Sequence, residues 1–254
     1  MTSTSAYVVP TCFVEADPQL QLARRATVEC IGTLFLTIAS TGAALAVTRV
    51  EPANHGFALL LSALVTSGAL VGLIFAFGKV SGGHFNPLIT LLQWLARERT
   101  GKCAAAYVTG QLIGAALGAG IANLLFPTPA VEQAISTPTV SLVASEFIAS
   151  AGLMTIVFGC MRSGLASTGP IAVGAWLFAA IVATPSGSYA NPAIIVASLI
   201  AHGPIHLSVQ TVWLYAPAEL FGALLALLII AVGYPRKELP DAVGQEVDTG
   251  ALQP

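Results

Sequence analysis

Backbone that crosses a lipid bilayer must have its polar groups paired. Irregular chain at that depth is tolerated only where it is buried in protein or lines a wet cavity. This sequence interrupts its apolar pattern twice, in the same way. Ser81–Thr90 reads SGGHFNPLIT and Ser186–Ile195 reads SGSYANPAII. Both place Asn-Pro after a Ser-Gly turn, and each pair opens a short apolar stretch, Asn86–Leu95 and Asn191–Ala201. At ~1.5 Å per residue, such a stretch is about half a membrane long. Asn is a strong helix N-cap and Pro fits the first helical position. The glycines allow the loop to approach neighbouring backbone closely. The pattern predicts two half-helices that start at the midplane and meet tip to tip, each tip carrying roughly half a positive charge and free N–H groups. A single Asn-Pro pair reads as a surface turn; two at matching places do not.

The rest of the chain supplies the membrane setting. Only 9% of residues are charged and 56% are hydrophobic, against about 25% charged in ordinary soluble domains. Six longer apolar segments run Ala26–Thr48, Gly56–Gly78, Ala104–Phe126, Val140–Met161, Gly169–Thr184 and Thr211–Tyr234, most of them near the roughly 20 residues a span requires. With the N-terminus in the cytoplasm and both half-spans re-entrant, every Lys and Arg except Arg49 falls on the cytoplasmic side, as the positive-inside rule demands.

An internal repeat gives the same layout. ATVECIGTLFL (Ala26–Leu36) resembles LVASEFIASAGLM (Leu142–Met154), aligning Glu29 with Glu146. YVTGQLIGAALGA (Tyr107–Ala119) resembles YAPAELFGALLAL (Tyr215–Leu227), setting Gln111 opposite Glu219. Three full spans per half is an odd number, so the second half runs inverted and a site is expected at the midplane between the halves. The predicted fold is an all-α membrane protein of six transmembrane helices plus two re-entrant half-helices. Residues 1–25, which lack the apolar core of a signal peptide, are expected to be a mobile cytoplasmic tail. The membrane domain is 26–234, with halves at about 26–126 and 140–234. Residues 235–254 form a polar, disordered cytoplasmic tail bearing Glu238, Asp241, Glu246 and Asp248. Cys12, Cys30, Cys103 and Cys160 have no metal-ligand spacing, so neither a metal nor another cofactor is expected. No basic tract points to nucleic acid, and no nucleophile–base pair points to an enzyme.

On SGGHFNP, the Asn191–Ala193 NPA triplet, Glu29, Glu146 and Gln111, the chain resembles the aquaporin and aquaglyceroporin family, the major intrinsic proteins, over about Arg24–Tyr234. The resemblance implies a passive pore in each subunit, a homotetramer, and a multi-pass plasma (inner) membrane location with both termini cytoplasmic. It places Asn86, Pro87, Leu88, Asn191, Pro192 and Ala193 at the pore midplane, with the two asparagine amides donating to a passing oxygen. Carbonyls of Gly82, Gly83 and His84, and of Gly187, Ser188 and Tyr189, would form an acceptor ladder. Glu29 and Glu146 would support the re-entrant loops.

Two departures stand out. The first motif is Asn-Pro-Leu, with Leu88 where the family has Ala. The position after the second motif, an Arg in most of the family, is Ile194. Carrying over the other filter positions gives Thr66, Ala179 and Ser188. This filter is wide, uncharged and mostly apolar, as in a bacterial subgroup often associated with arsenic resistance. The expected solutes are water, glycerol and small uncharged species such as arsenite or methylated arsenicals. Tyr189 could add an aromatic wall to this filter. A proton-coupled secondary transporter, with Glu219 as its unmatched carboxyl, and a non-conducting junction protein are the alternative readings.

Overall fold

A computed structural model describes residues 12–50, 55–127, 137–164 and 167–234, the side chains of 48–50 apart. The Arg49 side chain, Arg236, Lys237 and the C-terminal tail lie outside the described residues. Eight α-helices follow in chain order among the described residues: α1 Leu22–Val50, α2 His55–Ser81, α3 Pro87–Leu95, α4 Gly101–Leu125, α5 Val140–Ser163, α6 Gly169–Ala183, α7 Pro192–Ala197 and α8 Val209–Gly233. Five of them, α1, α2, α4, α5 and α8, are long and apolar enough to cross a membrane. The sixth expected span, α6, has 15 helical residues and reaches about 22 Å. The apolar side chains that face outward, such as Phe35, Leu64, Phe75, Phe221 and Val232, suit contact with lipid tails.

The inverted repeat appears in the packing. α1 lies along α4, α5 lies along α8, α2 meets α6 in the middle, and α3 and α7 touch between the halves. Glycines set the closeness of the two long pairs. A Cβ on Gly114 of α4 would lie 2.1 Å from the Cys30 carbonyl oxygen of α1, and a Cβ on Gly222 of α8 would lie 2.2 Å from the Phe147 oxygen of α5. These positions correspond in the repeat, so one device joins each pair. Small residues of this kind let membrane helices approach backbone to backbone.

Both half-helices begin as the sequence predicts. Asn86 caps α3 through Oδ1, which accepts from Leu88 N at 2.9 Å. Asn191 caps α7 by accepting from Ala193 N at 3.1 Å. Pro87 and Pro192 occupy the first helical positions. They differ in length, however: α3 has nine residues and α7 only six. The expected stretch to Ala201 ends early because the Ser198 hydroxyl turns back to the Ile195 carbonyl at 2.6 Å. The Asn123 amide then takes the departing chain, donating to Ile200 O at 2.8 Å and accepting from His202 N at 2.9 Å.

The N-terminal tail also departs from expectation. Cys12 and Phe13 are buried, and residues 12–21 fold back onto the same end of the bundle that carries Arg25, Lys79, Arg99 and Arg162. Cys12 and Phe13 join the apolar cluster between helix ends, and Glu15 supplies a counter-charge to two arginines.

Gly114→Ala should destabilise the protein by on the order of 1–3 kcal/mol, because backbone lines the space its methyl needs. Gly120→Ala on the same helix meets nothing within 4 Å and should be neutral or stabilising by ~0.5–1 kcal/mol. Thermal unfolding midpoints in detergent distinguish the two.

Candidate functional site

The site is a cavity of about 660 Å³ that opens at the end of the bundle opposite the basic one and reaches the two Asn-Pro tips. The loops that carry these tips share an unusual backbone. Positive φ occurs at Gly82, Gly83 and Phe85 in the first, and at Gly187, Ser188 and Ala190 in the second. Left-handed backbone costs a non-glycine residue roughly 1–2 kcal/mol, so Phe85, Ser188 and Ala190 have to be held.

Buried carboxylates hold them. Glu29 Oε1 accepts from the Ser81 hydroxyl at 2.6 Å and from His84 N at 3.0 Å. Its Oε2 accepts from Phe85 N at 2.7 Å and Gln111 Nε2 at 2.8 Å. Glu146 repeats this for the second loop, taking Tyr189 N at 3.1 Å and Ala190 N at 2.8 Å. Both glutamates are inaccessible to solvent, and their donors offset part of the cost of burying the charge.

The tips then clasp each other. Asn86 Nδ2 donates to Ala190 O at 2.8 Å, and Asn191 Nδ2 donates to Phe85 O at 2.9 Å. An amide carries two N–H donors, so each asparagine keeps one for the cavity that both of them line. Chemically, this is a pair of fixed neutral donors at one depth, opposed by carbonyl acceptors and apolar walls.

The remaining expected residues divide. Thr66, Ser188 and Ile194 line the cavity, with Gly187, Tyr189 and His84. The Ser188 hydroxyl is buried without a partner among the described residues. Gly82 and Gly83 are buried but do not line the cavity, so on that side the lining loop begins at His84. Ala179 is a correction. It sits on the exposed outer face of α6, whereas Leu177 and Ile181 face the cavity. Two residues along a helix turn the side chain by about 200°, so a spacing carried across the loop misplaces it. Leu88 is buried at the α3 tip.

His84 is fully committed. Nδ1 lies 2.9 Å from Thr90 Oγ1, and Nε2 lies 3.1 Å from Phe13 O and 3.4 Å from Arg99 Nη2. The carbonyl is the nearer partner and can only accept, so the proton is assigned to Nε2, with Thr90 donating to Nδ1.

Sequence reasoning missed the outer rim. A 3₁₀ turn at Gly203–Ile205 places Pro204 and Ile205 on the cavity, and the Tyr189 hydroxyl ties it down by donating to Ile205 O at 2.9 Å. Glu219, visible in the sequence only as the counterpart of Gln111, accepts from Asn191 N at 3.0 Å, while its Oε2 is buried without a hydrogen-bond partner among the described residues. At the matching place in the first half, Gln111 instead donates an N–H to Glu29.

The major intrinsic protein model matches residues 18–186. The chain is 30% identical over 213 residues to the aquaglyceroporin AqpS of Rhizobium meliloti, covering 84% of this chain and 91% of that one. It is 26% identical over 254 residues to the aquaporin AqpM of Methanothermobacter thermautotrophicus, covering 85% and 97%. Among solved structures, the aquaglyceroporin from Plasmodium falciparum superposes with a TM-score of 0.68 at 18% identity, covering 83% of this chain and 96% of that one; that likeness speaks for the fold.

Glu219→Gln should retain flux and stability, since an amide keeps an acceptor for Asn191 N and adds the donor that Gln111 has. Glu219→Leu should lower both, because an unpaired buried N–H costs ~1–3 kcal/mol. Water permeability of reconstituted protein and the unfolding midpoint check this together; equal behaviour of the two variants would refute it.

Proposed function

The chain belongs to the major intrinsic protein family, and from that premise we propose that it is a passive membrane channel for water and small uncharged solutes, glycerol among them, rather than an enzyme. The observation that carries this reading is the pair of clasped asparagines at the base of the cavity, each with one N–H to spare. A water or hydroxylated solute accepts from both amides and turns its oxygen toward the tips. That orientation interrupts a chain of proton-conducting hydrogen bonds. The positive ends of the half-helices oppose cations, as in aquaporin-type pores generally. Nothing in this mechanism needs a covalent step or a bound cofactor.

The outer constriction is assigned to Thr66, Ser188 and Ile194, with Ile181 in place of Ala179. Ser188 presents a free hydroxyl and Thr66 another polar atom, while Ile181, Ile194 and Ile205 are aliphatic. With no guanidinium to fill the opening, this ring favours neutral solutes larger than water. Arsenite and methylated arsenicals fall in that class by size and lack of charge.

The basic end of the bundle is assigned to the cytoplasm by the positive-inside rule, which puts both termini there and opens the cavity outward across the plasma (inner) membrane. The conducting unit is residues 26–234, in halves at about 26–126 and 140–234, flanked by the two terminal segments. A homotetramer follows from family resemblance, each subunit carrying its own pore.

Ile194→Arg tests the assignment. The new cation should reduce glycerol and arsenite flux by filling the ring, and should affect water less, because water can bond to the guanidinium and pass a narrower opening. Stopped-flow measurements on matched amounts of folded protein in liposomes give the ratio, and unchanged relative permeabilities would remove residue 194 from the constriction. In parallel, Ser188→Cys should create mercurial inhibition of flux that the wild type lacks.

A further inference from the structure

The cavity reaches inward as far as Ile74, His84 and Ile89. The His84 imidazole in turn meets Phe13. Its carbonyl oxygen accepts from Gln93 Nε2 at 2.9 Å and from His84 Nε2 at 3.1 Å. It also lies where a Cβ on Gly82 would meet it at 2.8 Å, so Gly82 is needed for the approach. The ring is 2% exposed and belongs to the same apolar cluster as Ile74, Leu92, Phe158 and Val173. A Cβ on Gly169, at the start of α6, would lie 2.7 Å from Cys12 Sγ and 3.2 Å from the Phe13 ring.

The flanking residues fasten this segment all round. Ala16 N donates to Lys79 O at 2.8 Å at the end of α2. Glu15 pairs with Arg99 at 2.7 Å, before α4, and with Arg25 in α1. Gln93, which holds Phe13, also points to Met161 Sδ in α5 at 3.7 Å. The strap thus touches α1, α2, the α2–α3 loop, α3, the α3–α4 loop and α6, all at one end of the bundle.

From these contacts we propose that Cys12–Ala16 is a plug in the basic-end mouth of the pore, with Phe13 as the stopper and Glu15 as its catch. The inference rests on the channel reading above. The plug sits on the imidazole of His84, where a permeating molecule would next find a donor, and Phe13 O already accepts from that Nε2–H. Phe13 is held at a φ of 61°, a conformation a bulky residue adopts only under constraint. Removing the catch therefore favours the released state. The conducting form is the one in which Glu15 has left Arg99 and Arg25 and His84 Nε2 faces the pore. Plugged and open states exchange as a two-state equilibrium, and whatever binds the freed strap or the exposed arginines shifts it.

The test uses the full chain with Cys30, Cys103 and Cys160 replaced by Ser, leaving Cys12 as a reporter. Burial, with Cys160 adding a like charge as thiolate, raises the Cys12 thiol to about 11, which the Ser substitution at 160 lessens without removing. Maleimide labelling and stopped-flow water flux are measured on Glu15→Gln and Phe13→Ala beside this parent. The expected result is slow Cys12 labelling in the parent, faster labelling in Glu15→Gln, and flux raised roughly fivefold or more in both variants. Labelling of the parent at the rate of the denatured chain would overturn the docked strap. Faster labelling in Glu15→Gln with unchanged flux through a conducting parent would overturn the plug while leaving the channel intact. No flux from any of the three, with Cys12 released in Glu15→Gln, would overturn the channel reading itself.

Discussion

Two strained loops must stay irregular in the middle of a membrane, and the buried carboxylates beneath them make that possible. Peptide groups at this depth have no water to fall back on. Glu29 collects two backbone N–H groups, a hydroxyl and an amide around one carboxylate, while Glu146 takes two backbone N–H groups from the other loop. Everything at the tips descends from this. With the N–H groups turned toward glutamate, the carbonyls of Phe85 and Ala190 turn the other way and receive the opposing asparagines. The glutamates sit on α1 and α5, which the glycines at 114 and 222 draw against α4 and α8, so helix packing sets the depth at which the loops are held.

The repeat is accurate in plan and uneven in detail. Where the first loop has Gly83 at positive φ, the second has Ser188 in the same conformation. The serine accepts strain that glycine avoids, and in return puts an unpartnered hydroxyl on the cavity. Where α4 has Gln111, α8 has Glu219, which reaches Asn191 N. The second half therefore carries the more polar and more strained loop, and it faces the open end. The first half carries the fully committed His84, whose neighbour is the Phe13 carbonyl. One half is arranged to meet solutes and the other to be covered.

Much of this was legible in the residues. Caps, prolines and apolar runs located α3 and the starts of the long spans, because each is a local preference of a few residues. The carboxylate pair stood out because charge inside a span is costly. Ala179 failed because its position depended on a count through a loop, and loops do not preserve helical phase. The end of α7 failed because the Ser198 hydroxyl competes with the helix ladder, and a serine in an apolar run does not announce that choice. The strap was invisible for a different reason: a segment with Pro10, Glu15, Asp17 and Pro18 has neither periodicity nor sustained hydrophobicity. Its placement comes from partners on six other elements.

The clasp between the tips also bears on how the molecule is made. Asn86 bonds to Ala190 and Asn191 to Phe85, so each half supplies what the other half's tip lacks. During synthesis the first half emerges with its asparagine amide unanswered and its tip carbonyl idle, and no contact within that half can satisfy them in the same geometry. The early tip must wait, wetted or provisionally sheltered, until the later loop arrives with the opposite orientation. Closing the clasp is thus an act of assembly rather than of local folding, and the base of the cavity is among the last features to exist.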